Sequence, residues 1–131
     1  MARTHYDPDV APDASEWLAL PEAERMRLAQ SYHVAARIKV PSMKAHAALH
    51  AAIENQIASG FGPSKRAISR LESEGLSRHE ALHAIGSVVA SFMYELGQGQ
   101  TESQRASFQS RMGNAIENLH AKSWLDGDRD G

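Results

Sequence analysis

Apolar residues recur along this chain at three- and four-residue intervals, and no stretch of five alternates cleanly between apolar and polar, so the pattern predicts helices and no strands. β-branched residues are sparse, while Ala, Leu, Glu and Arg dominate, all good helix formers. Asp13 with Glu16 has the spacing of a capping box opening a short turn through Trp17. Pro21 suits the first position of a helix to about Arg37, with Met26, Ala29, Tyr32 and Ala36 along one stripe. Pro41 interrupts, and Ser42 is placed to cap a helix over Met43 to Ser59. Gly60-Phe61-Gly62-Pro63 is a breaker, after which Ser64 to Glu74 reads as a short helix closed by Gly75, with Ile68 and Leu71 inward. Ser77 caps a helix over Arg78 to Leu96, and Thr101 with Gln104 starts a last helix to Trp124. The expected fold is all-α, a small bundle of about five helices. It is expected to form a single domain over 13–125, with polar, flexible termini at 1–12 and 126–131.

Two of these helices carry histidine pairs. His46 and His50 are four residues apart and are followed by Glu54; His79-Glu80-Ala81-Leu82-His83 spells H-E-x-x-H. Residues four apart on a helix share a face, so each pair can present two imidazoles to one ion or one water. At about 100° per residue, Leu82, Ile85, Val89, Phe92 and Leu96 form one apolar arc, with His79 and His83 beside it on the side of Gly86 and Ala90. Small residues there admit a neighbouring helix. His46, His50, Ile53 and Ile57 form the matching face of the other helix, with Glu54 at its edge. If those faces meet, four imidazoles and a carboxylate converge, a donor set suited to Zn²⁺ or another divalent first-row ion. The expected metal ligands are His46, His50, His79 and His83; His5 and His33 stand outside the set.

Two roles are open for each glutamate. Glu54 is a further ligand or a base acting on metal-bound water, and Glu80 is a base by analogy with metalloproteases or, since Ser77-Arg78-His79-Glu80 is also S-x-x-E, a helix cap. Proteolysis draws little support, because the stretch after His83 lacks the H-x-x-G-x-x-H continuation of metzincins. Glu80-x-x-His83 and Glu117-x-x-His120 also match the E-x-x-H signature of ferritin-like di-iron bundles, with Glu54 as a bridging carboxylate. Without any metal, the histidines form a hydrogen-bonded polar layer between helices, and Asn55 and Gln56 would be partners for the imidazoles or for buried backbone; with a metal they would orient the bound imidazoles. Arg66 and Arg78 are candidates for holding an anion, against the commoner solvated ion pair.

Composition narrows the chemistry further. The 131 residues carry 14 Lys and Arg against 16 Asp and Glu, with a net charge of −2, so no electrostatic footprint for nucleic acid stands out. There is no cysteine, which removes disulfides and thiolate ligands and leaves imidazole, carboxylate and water for any metal. No apolar run reaches membrane-spanning length and the first residues lack the apolar core of a signal peptide, so the expectation is a cytoplasmic protein with no membrane partner.

The segments His46-Ala-Ala-Leu-His50-Ala-Ala-Ile-Glu54-Asn55-Gln56 and Gly75-Leu76-Ser77-Arg78-His79-Glu80-Ala81-Leu82-His83-Ala84-Ile85-Gly86 resemble an uncharacterised bacterial family of small proteins of unknown function. The likeness extends from about Trp17 to Leu96, taking in Trp17-Leu18-Ala19-Leu20 and the Tyr32 to Pro41 stretch. It implies a helical fold and a shared site of His46, His50, Glu54, His79, Glu80 and His83, and implies no reaction. The functional expectation is a divalent metal held between two histidine-bearing helices, as a metal-assisted hydrolase if the site activates water. The alternative is a metal-free interaction module, a homodimer through exposed apolar residues such as Phe108 and Met112.

Overall fold

The computed structural model describes residues 5–38 and 42–128, and every regular element among them is helical. In chain order these are α1 (Ala14–Ala19), α2 (Glu22–Ala35), α3 (Met43–Ala58), α4 (Gly62–Ser73), α5 (Arg78–Gly97), α6 (Glu102–Glu117) and α7 (Ala121–Asp128). The interruption expected at Pro41 lies outside the described residues. The chain divides into two compact units, Met1–Phe61 and Gly62–Gly131.

Local signals start most of the helices. The Asp13 carboxylate accepts from the Glu16 N–H, and the Ser42 hydroxyl accepts from the Ala45 N–H. Ser77 with Glu80 and Thr101 with Gln104 each close a reciprocal capping box, satisfying two of the N–H groups that a helix start leaves without intrahelical partners. Pro21 is the N-cap of α2, and Pro63 falls in the first turn of α4, where its missing N–H costs nothing.

Three helices end alike. Phe61 N–H reaches the Gln56 carbonyl at 2.8 Å, Leu76 N–H that of Leu71 at 3.1 Å and Ile38 N–H that of His33 at 3.0 Å, the long bond of a Schellman turn. The turn needs a left-handed residue. Gly60 (φ 87°) and Gly75 (φ 105°) supply it without a Cβ clash, whereas α2 uses Arg37 at φ 59° and therefore stops two residues short of the expected end.

In the first unit, α2 and α1 pack on α3. Trp17, Leu28, Ala29, Ala47 and Ala51 form its apolar centre together with Tyr6, which comes from the segment before α1. Tyr6 and Pro8 are buried, although the composition of residues 1–12 suggested a loose end. On α2 the buried positions are Leu28, Ala29 and His33; Met26 and Tyr32 of the expected stripe are half-buried and Ala36 is exposed.

In the second unit, α4 packs on α5 and α6, and α5 on α6 and α7, around Ala67, Leu71, Leu82, Ile85 and Ile116. The expected last helix is two helices. Arg70 donates to the carbonyls of Ile116 (2.8 Å) and Leu119 (2.9 Å), and Glu74 accepts from the Ala121 N–H at 2.8 Å, so Arg70 of α4 and Glu74 just beyond its end satisfy the end of α6 and the start of α7. That break, with the separate short α1, takes the count from about five helices to seven among the described residues. Met112 is buried and Phe108 half-buried edge-on to Phe92 at 5.7 Å, so Met112 is core and does not present the exposed surface expected of it. No described helix is long and apolar enough to cross a membrane.

Candidate metal centre

Helices α2 and α3 bring three histidines together in the first unit. His46 and His50 lie one turn apart on α3, with ring centroids 4.9 Å apart. His33, from α2, lies 4.5 Å from His46 and 4.6 Å from His50, also between ring centroids. A ring nitrogen from each of the three lies within 4.8 Å of the others. His33 and His50 are buried and His46 is half-buried.

His33 corrects the sequence expectation, which placed it outside the site. It is fully buried, and its Nδ1 is 2.7 Å from the carbonyl oxygen of Ala29, one turn earlier. A carbonyl only accepts, so that nitrogen carries the proton and Nε2 carries the lone pair that a metal would use.

Glu54, one turn beyond His50, is 1% exposed. Its Oε2 accepts the Tyr6 hydroxyl proton at 2.5 Å, and the same hydroxyl stands 3.4 Å from His50 Nδ1. The Tyr6 ring is held against Trp17 (5.6 Å), Tyr32 (6.4 Å) and His50 (6.2 Å). Tyr32 in turn stands edge-on to His33 at 5.2 Å, and burial, with Asp7 and Asp9 adding, pushes its phenol above the ordinary range. Tyr6 was not predicted at all; it has no spacing relation to the histidines and reaches them only through the packing of the leading segment.

Asn55 has partners other than imidazoles. Its Oδ1 accepts from the Trp17 indole N–H and from Arg25 Nη1, both at 2.9 Å.

In the second unit, His79 and His83 lie one turn apart on α5 with ring centroids 4.4 Å apart, as the H-E-x-x-H spacing predicts. Both are half-buried, while Glu80 is exposed and its Oε1 accepts from the Ser77 N–H at 3.0 Å, the capping-box bond. The di-iron pattern does not assemble from Glu117 and His120. Glu117 ends α6 and pairs with Arg66 at 2.9 Å, and His120 lies beyond the helix end, 2.7 Å from Glu74. Arg66 is thereby an exposed ion pair, the commoner of the two readings given for it.

No family model, curated protein or solved structure matches this chain. The chemistry of the site therefore stands on its own residues.

Proposed function

We propose that this protein binds one divalent first-row ion, zinc first among the candidates, through His33, His46 and His50. The observation that carries the reading is the convergence of three imidazole nitrogens within 4.8 Å in a largely buried setting. A tetrahedral ion with Zn–N bonds of about 2.0–2.1 Å needs its nitrogens roughly 3.3 Å apart, a difference that small side-chain rotations close. Neutral imidazole is a good ligand of Zn, Cu, Ni and Fe, and the cysteine-free sequence offers no thiolate. The fourth ligand falls to water. With water there, the ion would lower the water's pKa toward about 7 and the centre would be hydrolytic, with Glu54 as its nearest buried carboxylate in sequence; a fourth protein ligand in its place would close the site and make it structural.

The test is elemental analysis of protein purified without a histidine tag, followed by zinc titration of the stripped protein. The expected result is about one zinc per chain. It should be lost when His33 and His50 are both replaced by Ala. A folded wild type that takes up no added zinc overturns the reading in favour of a metal-free polar layer; a double variant that keeps its zinc overturns the ligand assignment.

A further inference from the structure

The contacts around His50 impose a proton order. A phenol has one proton, and that of Tyr6 goes to Glu54 Oε2 at 2.5 Å. The Tyr6 oxygen can then meet His50 Nδ1, 3.4 Å away, only as an acceptor, so His50 carries its proton on Nδ1. Its lone pair is on Nε2, as in His33, where the Ala29 carbonyl selects the same tautomer. Two of the three imidazoles are thus set the same way by unrelated devices, one a backbone carbonyl and the other a side-chain relay.

We propose that Tyr6 and Glu54 are a positioning pair that holds His50 in its Nδ1–H tautomer and so presets Nε2 for the metal. The inference rests on the metal reading above and adds to it the groups that prepare the ligand. The pair suits the task because neither group can wander: Tyr6 is 3% exposed and its ring is wedged among Trp17, Tyr32 and His50. Glu54 is fixed one turn from His50 on the same helix, so relay and ligand move as one body.

The experiment uses Tyr6→Phe, which keeps the ring and removes the hydroxyl. Long-range ¹H–¹⁵N correlation spectra of the metal-free protein at pH 8 report the tautomer of each histidine without any zinc present. The expected result is Nδ1–H for both His33 and His50 in the wild type, and a mixed state for His50 alone in the variant. Zinc affinity should fall about 10- to 100-fold in Tyr6→Phe, the range typical of losing an outer partner of a metal ligand. A wild-type His50 protonated on Nε2 overturns the proposal, as does a Tyr6→Phe protein with unchanged tautomer and unchanged affinity. A wild type that binds no zinc but shows His50 as Nδ1–H supports the positioning pair while overturning the metal reading. If Tyr6→Phe fails to fold, Glu54→Gln serves in the same spectra, because its amide can donate to the phenol oxygen and so compete with His50 for it.

Discussion

The indole N–H of Trp17 donates to the side-chain oxygen of Asn55 at 2.9 Å, joining α1 to α3 across the core of the first unit. The same oxygen takes the Arg25 guanidinium at 2.9 Å, and Arg25 also donates to the carbonyls of Leu18 and Leu20 where α1 ends. One amide therefore anchors a fully buried indole and the guanidinium that closes the preceding turn.

Asn55→Ala should accordingly destabilise the protein by about 1–3 kcal/mol, the cost of leaving a buried donor unsatisfied. Urea denaturation followed by tryptophan fluorescence measures it. An unchanged midpoint would mean that the indole finds another acceptor and that the Asn55 link is incidental.

Most of the helices were legible because their signals are local. Ser42, Ser77 and Thr101 act within three residues, and Gly60 and Gly75 terminate helices through their own backbone. The break between α6 and α7 was not, because Arg70 and Glu74, which stabilise it, lie nearly fifty positions upstream. The site divides the same way. His46 and His50 announce themselves by spacing, but His33 is a lone histidine whose partners appear only when α2 packs on α3. One signal did exist: His33 lies a turn beyond Ala29, a residue already assigned to the inward stripe.

The correction at His33 is directly testable. His33→Ala should weaken zinc binding by more than about 100-fold, beyond the loss expected from an outer partner, because a ligand itself is removed. His5→Ala, at an exposed position, should leave affinity unchanged. Calorimetric titration of the metal-stripped proteins, with circular dichroism to confirm helicity, gives the comparison; equal affinities for wild type and His33→Ala would return the site to the two pairs read from the sequence.

Glu80 illustrates how one residue can fit a catalytic motif and a folding signal. Its carboxylate bonds back to Ser77 N–H at 3.0 Å while the Ser77 hydroxyl accepts from Glu80 N–H at 3.0 Å. Ser77→Ala should cost about 1 kcal/mol of stability, as for other N-caps, and Glu80→Ala should act in the same direction. Neither should change zinc stoichiometry. Loss of zinc from a Glu80→Ala protein that melts like the wild type would show that the carboxylate serves the metal as well as the helix.

Acid stability offers a separate test in the second unit. The Ala121 N–H, then His120, hold the Glu74 carboxyl below its ordinary pKa, with Arg70 adding a smaller charge effect. A carboxyl lowered on folding stabilises the native state above its unfolded pKa, about 4.3 for Glu, and loses that contribution as pH falls through the lower folded value. Glu74→Gln has no such proton to take up. The wild type should therefore exceed Glu74→Gln in thermal stability at pH 5, and the margin should shrink below about 4.3. Chelator must be present throughout, so that proton competition for the histidines does not contribute. A margin that persists undiminished at pH 3 would show that Glu74 acts by packing rather than through its charge on the start of α7.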